Sequence, residues 1–294
     1  MTLIDLHSHS TRSDGKESPT EVFEHAAAAG VQILALTDHD TTSGWSEAAE
    51  AASRLGLGFV PGIEVTTRAS VEKTDDTEFT SVHLLAYLPN PKDEGLRATM
   101  DDSVGSRESR AMAMVEALSQ DFGISWQDVL AELQEGATIG RPAIADALVN
   151  LGIVRDRTDA FSGILSKHGG YYLPTAVVDT LDAIEIVLNA GGVPIIAHPL
   201  TRIGPNADRG DLPLEHFEAL IEAGLAGFEV YHREVPELAQ EWLLELAKRH
   251  DLIVTGSSDY HGVHGKPNRL GENRTDPEML GRIIAQSSGV EALL

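Results

Sequence analysis

The chain has 294 residues, a formal net charge of −24 and no cysteine. Its length allows one large domain or one domain with an insertion, and a hydrophobic content of 42% is enough for a sizeable core. The absence of cysteine excludes disulfides and thiolate ligands, so any metal ion would be held by His, Asp and Glu. The acidic balance argues against an extended nucleic-acid-binding surface, but it is compatible with a small phosphorylated substrate.

No membrane or targeting segment is visible in the sequence. No apolar run approaches the roughly 20 residues needed to span a bilayer, and the N-terminus lacks the charged-then-apolar pattern of a signal peptide. We therefore expect no membrane partner and a cytoplasmic location. The polar stretch 68–80, RASVEKTDDTEFT, is the one segment that we predict to be irregular.

Apolar strand-like runs alternate with helix-like segments, which is typical of a parallel α/β protein. The predicted strands are 3–7, 32–36, 58–64, 82–88, 193–197, 227–231 and 252–255. The predicted helices between them are 19–29, 43–55, 181–189, 214–222 and 237–249. From about 94 to 173 the pattern is helical and contains no clear strand. We predict a βα barrel of about seven strands with an all-helical insertion, so that 1–95 and 174–294 form the barrel and 96–173 the insertion.

The first predicted strand ends in two histidines, His7 and His9, and Asp14 follows shortly after them. Residues two apart in a strand point to the same side, so both imidazoles would be aimed at one point. Two imidazoles suit a metal ion better than an apolar core, where each ring needs polar partners. Because His-x-His also occurs by chance at strand ends, the rest of the chain has to decide.

Active sites of βα barrels lie at the C-terminal ends of the strands, and nearly every predicted strand here delivers a histidine or a carboxylate to that end. Beyond the first strand, these residues are His39, Glu64, His83, His198, Glu229, His232, Asp259 and His261. Only His83 fits poorly, because it comes early in its predicted strand. So many ligands exceed the needs of one ion, and Glu64 could bridge two. We therefore predict a multinuclear metal centre.

The ordered motifs HSH with Asp14, TDHD, GIE, an isolated His83, AHP and SDYH resemble the PHP (polymerase and histidinol phosphatase) superfamily of metal-dependent phosphoesterases. The resemblance implies a distorted seven-stranded (β/α) barrel holding three divalent ions, of manganese, zinc, iron or magnesium. The implied ligand sets are His7, His9, Glu64 and Asp259 for one ion, Glu64, His83 and His198 for a second, and Asp14, His39 and His261 for a third. Such a cluster is expected to lower the pKa of a bound water to about 7, and the hydroxide would attack phosphorus.

The insertion contains IGRPAIADALVNLG followed by AFSGILSKHGGYYLP. These motifs are similar to the branch that includes nucleoside 3',5'-bisphosphate phosphatases and 5'-to-3' exoribonucleases of the RNase AM type. The resemblance implies that the insertion caps the site and that Arg141 binds substrate phosphate. It also implies a small phosphorylated nucleotide or a short RNA as substrate. Ala143 departs from this branch, in which a histidine is expected soon after the Arg-Pro pair.

Several further residues are candidates for contacts with the substrate, because guanidinium and ammonium groups bind phosphate and aromatic rings stack on bases. These candidates are Arg269, Lys167, His168 and Tyr231, with Tyr171 and Tyr172 as further stacking candidates. Packing is the alternative role for at least two of the three tyrosines. The candidate proton donors to the leaving oxygen are His232 and His264.

Three carboxylates near the predicted ligands call for other roles. Asp38 and Asp40 flank His39, and we expect them to cap or to orient rather than to bind metal. Asp5 either accepts hydrogen bonds from neighbouring backbone or orients a ligand imidazole.

Three other functions remain open from the sequence. A histidinol-phosphate phosphatase would use the same barrel, but the long insertion with its GRPA motif argues against it. A non-catalytic metal-stabilised module is disfavoured by the complete ligand set. An amidohydrolase-like enzyme acting on a C–N bond usually needs a metal-bridging lysine or carboxylate at a strand end, and only Glu64 would serve. The sequence gives no prediction of the oligomeric state.

Overall fold

The computed structural model describes residues 2–73, 76–133, 139–166, 169–173, 176–201 and 214–294. The strands are β1 (Ile4–Asp5), β2 (Ile33–Leu36), β3 (Gly58–Lys73), β4 (Asp76–Tyr87), β5 (Val193–Ile196), β6 (Gly227–Tyr231) and β7 (Ile253–Gly256). The helices are α1 (Pro19–Ala28), α2 (Trp45–Leu55), α3 (Glu94–Phe122), α4 (Trp126–Leu130), α5 (Arg141–Asn150), α6 (Arg157–Ser162), α7 (Thr180–Asn189), α8 (Leu214–Glu222), α9 (Glu237–His250) and α10 (Pro277–Gln286).

The seven strands form one sheet in sequence order, from β1 to β7. Neighbouring strands are parallel except around β4, which is antiparallel to both β3 and β5. A parallel bridge between Ser8 and Tyr260 links the chain just beyond β1 to the chain just beyond β7, so the sheet nearly closes on itself. The distorted seven-stranded barrel predicted from the sequence is therefore confirmed.

The β3–β4 hairpin differs from the prediction in two respects. The described residues of the stretch 68–80 are not irregular, because β3 continues to Lys73 and β4 begins at Asp76, with an antiparallel register that runs from Gly62 opposite Tyr87 to Lys73 opposite Asp76. The β-branched residues of this stretch favour extended backbone despite its polarity. Since β4 runs against its neighbours, its early residues lie at the end of the barrel where the parallel strands finish. His83 comes just before the part of β4 that pairs with β5, so this reversal brings it to the same rim as the other candidate ligands.

Local sequence sets the ends of α1 as predicted. The Ser18 hydroxyl accepts a hydrogen bond from the Glu21 N–H, and the Glu21 carboxylate accepts one of 2.8 Å from the Ser18 N–H. Pro19 occupies the first turn, where its missing N–H leaves no backbone hydrogen bond unmade. Gly30 follows the helix with a φ of 80°, in the left-handed region that glycine adopts without strain. The prediction contained no element after β7, so α10, which Asp276 caps, was missed.

Helices α3 to α6 form the insertion and share a hydrophobic cluster of their own, while Leu96 and Met100 at the start of α3 pack in a barrel core. The buried members of the insertion's cluster include Met114, Leu118, Ile144, Leu148 and Leu165. Within the described part of 94–173 there is no strand, as the sequence pattern indicates. The division into a barrel and a separate cap domain stays a prediction. No helix in the described ranges is both long and apolar enough to cross a membrane.

The insertion is fixed to the barrel through a buried aspartate. Asp40, just after β2, accepts a 2.8 Å hydrogen bond from the Ser103 hydroxyl and forms an ion pair of 2.5 Å with Arg107, both on α3. It also accepts a 2.8 Å hydrogen bond from the Thr66 N–H of β3. Asp40 therefore orients neighbouring elements, which agrees with its expected role beside His39.

Candidate metal centre

The segments that follow β1 and β7, together with the middle of β3, bring four ligand atoms together in the interior of the barrel rim. His7 Nε2 lies 3.0 Å from His9 Nε2 and 3.1 Å from Glu64 Oε2, and His9 Nε2 lies 2.9 Å from the same oxygen. Asp259 Oδ1 is 3.3 Å from His9 Nε2 and 3.5 Å from His7 Nε2. All four side chains are buried, and their ligand atoms lie within 4.8 Å of one another. We call His7, His9, Glu64 and Asp259 the first metal group.

A second metal group forms around the other oxygen of Glu64. His83 Nδ1 lies 2.7 Å and His198 Nε2 3.2 Å from Glu64 Oε1. His39 is also gathered here, since His39, Glu64 and His83 have ligand atoms within 4.8 Å of one another. Glu64 thus faces two groups of histidines with its two oxygens, which is the position that a bridging carboxylate needs.

Asp14, His261 and His9 form a third metal group. His261 Nε2 lies 3.1 Å from Asp14 Oδ1, and His9 Nδ1 lies 3.7 Å from it. The His39 ring is 4.8 Å from the His9 ring, so it borders both the second and the third groups. The structure therefore brings all nine predicted ligands into one continuous cluster. Which ligand serves which ion stays a prediction, because the geometric groups overlap the implied sets without reproducing them fully.

Several buried ligand atoms have no hydrogen-bond partner among the described residues, which is the pattern expected of atoms that coordinate an ion. These atoms are Asp14 Oδ1, Asp259 Oδ1 and His261 Nε2. Buried polar atoms left unpaired are costly, so their presence in one cluster needs an explanation. An all-nitrogen-and-oxygen donor set of this kind suits zinc, manganese or iron. The residues present therefore fit the metal ions that the motifs imply.

The charges of the cluster are strongly coupled. Burial alone would raise the pKa of Glu64, but His39, His83 and His7 lower it well below its usual value. Burial lowers the pKa of His9, yet hydrogen bonds with Asp259 and Glu64 raise it to about 9. The carboxylates are therefore ionised at neutral pH, and without an ion the imidazole of His9 carries a proton.

Glu229, at the end of β6, orients two of the candidate ligands. Its Oε1 lies 3.0 Å from His7 Nδ1, and its Oε2 accepts a 2.8 Å hydrogen bond from the His198 N–H. Asp5 accepts hydrogen bonds from the backbone N–H groups of Ser258 and Gly271, each at 2.9 Å, which is the first of the two roles expected for it. Sequence reasoning placed Glu229 on the rim but did not assign it a role.

Asp38 holds the loop that follows β1. It accepts hydrogen bonds from the Ser10 N–H at 2.8 Å and from the Ser10 and Ser13 hydroxyls at 2.6 Å each. This loop carries His9 and Asp14, so Asp38 acts on the cluster through the backbone, as expected.

Three of the six described non-glycine residues with a positive φ are a predicted ligand or the residue next to one. Among non-glycine residues, Asp40, His198 and Asp259 have φ values of 51°, 30° and 53°. Side chains with a Cβ rarely adopt this left-handed region, and such strain is typical of functional sites. His198 and Asp259 are predicted ligands, and Asp40 directly follows the predicted ligand His39.

The two candidate proton donors lie in different environments. His232 is buried, its ring is 5.2 Å from that of His198, and its Nε2 lies 3.6 Å from Asp259 Oδ2. Its Nδ1 accepts a 3.2 Å hydrogen bond from the Glu234 N–H. His264 is exposed on the loop that follows His261. The structure therefore brings His232, and not His264, into contact with the cluster.

Arginines and a tyrosine line a cavity of about 250 Å³ next to the second metal group. It is bordered by Thr66, which pairs with His83 across the hairpin, and its cationic residues are Arg68, Arg110 and Arg141. The guanidinium groups of Arg110 and Arg141 lie 5.2 and 5.3 Å from the centre of the Tyr172 ring. Sequence reasoning named Arg141 and Tyr172, but Arg68 and Arg110 gave no signal because only the fold brings them close.

The remaining substrate-contact candidates are distributed elsewhere. Tyr231 lines a separate cleft between β7, α9 and α10, and Tyr171 packs against Phe122 and donates a hydrogen bond to Asp121. Arg269 is exposed in a loop, with no contact to the cluster among the described residues. The predictions for Lys167 and His168 fall outside the described residues.

Ala143 is buried in α5 beside a small cavity of about 60 Å³ that Asp14 also lines. The cavity wall includes Asp146, which pairs with Lys16 at 2.5 Å and with Arg157 at 2.6 Å. Ala143, at the position where the branch is expected to carry a histidine, therefore lines the same cavity as Asp14 of the third metal group. Its methyl side chain occupies less of this cavity than an imidazole would.

A nearly closed barrel whose strand ends gather histidines and carboxylates around one glutamate defines a metal-dependent hydrolase. A model of the family described as the PHP domain matches residues 5–122. A solved structure from Bifidobacterium adolescentis, assigned to the metal-dependent phosphoesterases, superposes with a TM-score of 0.89 at 43% identity, covering 98% of this chain and 96% of the other.

Three characterised relatives match nearly the whole chain. A phosphoribosyl 1,2-cyclic phosphate 1,2-diphosphodiesterase from Eggerthella lenta is 30% identical, over 92% of this chain and 98% of the relative. A 3',5'-nucleoside bisphosphate phosphatase from Chromobacterium violaceum is 32% identical, over 89% and 88%. A 5'-3' exoribonuclease from Haemophilus influenzae is 31% identical, over 87% and 89%. The chain belongs to the PHP family, and it is a metal-dependent phosphoester hydrolase.

Proposed function

We propose that the protein hydrolyses a phosphoester of a small nucleotide that carries two phosphate groups, with the 3'-phosphate of a nucleoside 3',5'-bisphosphate as the preferred target. The observation that carries this proposal is the arginine-lined cavity beside the metal cluster. One phosphate would lie at the metal cluster and be hydrolysed. The other would bind the arginines, which fixes the substrate in one orientation.

The cluster would hold three divalent ions of manganese, zinc, iron or magnesium. Bound ions of this kind activate water as a nucleophile and neutralise negative charge on the phosphate. His7, His9, Glu64 and Asp259 would hold one ion. The remaining predicted ligands, His39, His83, His198, Asp14 and His261, would hold the other two with Glu64 as a bridge.

The electrostatics of the arginine cavity support an anionic ligand. Burial and the neighbouring charge of Arg141 lower the pKa of Arg110 to about 10, and Arg107 adds to this effect. Three guanidinium groups around one cavity give it a positive potential, which attracts an anion. Because the chain as a whole has a net charge of −24, a local group of three arginines contrasts with its overall charge. Guanidinium groups bind phosphate with two parallel hydrogen bonds, which favours a phosphate as the anion.

The size of the cavity favours a mononucleotide over RNA. A volume of about 250 Å³ accommodates a phosphate group and part of a nucleoside. Tyr172 borders it with an aromatic face on which a base can stack. An extended oligonucleotide would have to continue over an acidic surface, which opposes it.

His232 is the proposed proton donor to the leaving oxygen. Because its Nδ1 accepts the Glu234 N–H, the neutral ring carries its proton on Nε2. That nitrogen is buried next to Asp259, so the proton is held at the cluster.

The direct test is phosphate release by the full chain loaded with manganese. We expect rapid, chelator-sensitive release from adenosine 3',5'-bisphosphate, and slower turnover of 5'-phosphorylated RNA oligomers, a ribose 1,2-cyclic phosphate and histidinol phosphate. Arg141→Ala is expected to raise KM for the bisphosphate on the order of tenfold or more, because one charged hydrogen bond to phosphate is lost. Arg155→Ala, which changes an 84% exposed arginine, is the matched control. Equal rates on all substrates, or an unchanged KM in Arg141→Ala, would contradict the proposal.

A further inference from the structure

Asp259 presents its two carboxylate oxygens to different surroundings. Oδ1 is buried without a hydrogen-bond partner within the described ranges, and it lies 3.3 Å from His9 Nε2. Oδ2 accepts a 2.7 Å hydrogen bond from the ammonium group of Lys266. The side chain of Asp259 is 2% exposed, whereas that of Lys266 is 39% exposed. The lysine therefore lies at the boundary between the buried metal cluster and solvent.

The loop that carries Lys266 is fixed to the end of β7. The buried Asn268 donates its amide to the Ser258 carbonyl oxygen at 2.7 Å. Gly265 runs so close to the preceding turn that a Cβ there would lie 2.2 Å from the His261 carbonyl oxygen. A larger residue would push the loop, and Lys266 with it, away from the cluster. The backbone therefore determines where the ammonium group lies.

The position of this lysine is unfavourable for a cluster that only has to hold cations. A positive charge in contact with Asp259 weakens the attraction of that carboxylate for a metal ion. The side chain of Lys266 is 39% exposed, so part of its surface is open to a ligand at the cluster. The repulsion is offset when an anion lies between the ammonium group and the ions.

We propose that Lys266 is a catalytic residue that donates a hydrogen bond to a non-bridging oxygen of the phosphate at the cluster, while Asp259 holds its ammonium group in place. An ammonium group has three N–H donors, and Asp259 accepts one of them. The others serve the phosphate, whose charge develops as the phosphoester bond breaks. The inference rests on the proposed function only in placing the reacting phosphate at this cluster.

The test measures binding of inorganic phosphate to the manganese-loaded full chain by isothermal titration calorimetry, with the metal content determined by elemental analysis. In Lys266→Met we expect unchanged metal content and a phosphate Kd raised on the order of tenfold or more, because one charged hydrogen bond is lost. Lys266→Arg is expected to recover most of the affinity. Lys248→Met, which changes an exposed lysine near the end of α9, is the matched control and should bind phosphate normally.

Two results would overturn the proposal. One is a Lys266→Met protein that binds phosphate with wild-type affinity. The other is a protein that loses phosphate binding only in proportion to lost manganese, which would make Lys266 a positioning residue for Asp259. Neither readout depends on turnover of a nucleotide, so failure of the proposed substrate and failure of this inference are distinguishable.

Discussion

His7 Nδ1 and Glu229 Oε1 lie 3.0 Å apart, and both side chains are fully buried. An ionised carboxylate can only accept, so His7 donates through Nδ1, and Nε2, the nitrogen beside His9 and Glu64, is the one left to bind a metal ion once it has lost its proton. The second oxygen of Glu229 accepts the His198 N–H. One carboxylate outside the ligand set thereby orients a residue of the first metal group and a residue of the second.

Replacing this carboxylate is expected to weaken metal binding. In Glu229→Gln, manganese affinity should fall by about 10- to 100-fold, the effect usual for a partner that orients a ligand histidine. Chelator-competition titration measures it, and Glu237→Gln on the exposed face of α9 serves as the control. Wild-type affinity in Glu229→Gln would show that the protein does not need this contact to orient His7.

His232 is expected to matter most for substrates with poor leaving groups. Loss of a general acid reduces kcat by about 10²- to 10⁴-fold when the leaving oxygen needs a proton. We expect His232→Ala to show this loss with an alkyl or ribose ester and a much smaller loss with a p-nitrophenyl ester, whose leaving group needs no protonation. The His264→Ala variant should leave both rates unchanged. Equal losses on both esters in His232→Ala would contradict the assignment.

Metal binding should become tighter as the pH rises towards 9. In the metal-free protein the pKa of His9 is about 9, because hydrogen bonds with Asp259 and Glu64 outweigh burial, which lowers it. Below that pH the proton on His9 must leave before an ion can bind, so protons compete with the metal. Apparent manganese affinity should therefore increase from pH 6.5 to pH 8.5. Manganese titrations at several pH values, with proton release followed by an indicator dye, measure this effect. An affinity that does not change with pH, without proton release, would contradict the prediction.

The ion pair between Asp40 and Arg107 should contribute to the stability of the fold. Its members are 0% and 13% exposed, and Arg107→Met would leave a buried carboxylate without its cation. We expect a loss of about 3 kcal/mol in the free energy of unfolding, measured by urea denaturation. The exposed pair of Arg54 and Glu24 gives the control, since Arg54→Met should change stability by no more than about 0.5 kcal/mol. Similar values for the two variants would contradict the expected role of Asp40.

The elements with strong local signals could be predicted closely from the sequence. The predicted bounds of β6 and α8 agree with the structure at every residue, and α1 begins at its predicted proline. All nine predicted ligands lie in the cluster: seven follow the ends of strands, whereas Glu64 lies within β3 and His83 within the reversed strand β4. The reversal itself could not be predicted, since a strand has the same side-chain period in either direction.

Contacts between distant parts of the chain were beyond the reach of local patterns. Asp5 and Glu229 are both carboxylates in strands of the rim, yet only the fold shows that Glu229 contacts His7 while Asp5 accepts backbone N–H groups. Arg110 and Lys266 lie in segments that read as an ordinary helix and an ordinary loop. Their positions depend on how the insertion packs on the hairpin and on how the loop after β7 returns to it.

The sheet nearly closes on itself, and this affects what metal binding does to the barrel. The strands β1 and β7 meet through a single bridge beyond their ends, and the first metal group takes His7 and His9 from one side of this seam and Asp259 from the other. Asp5 and Ser258, which also meet across it, are 253 residues apart. Ions bound here would join the first and last strands of the barrel, so loss of the ions is expected to weaken this seam and to make β1 more accessible to proteases.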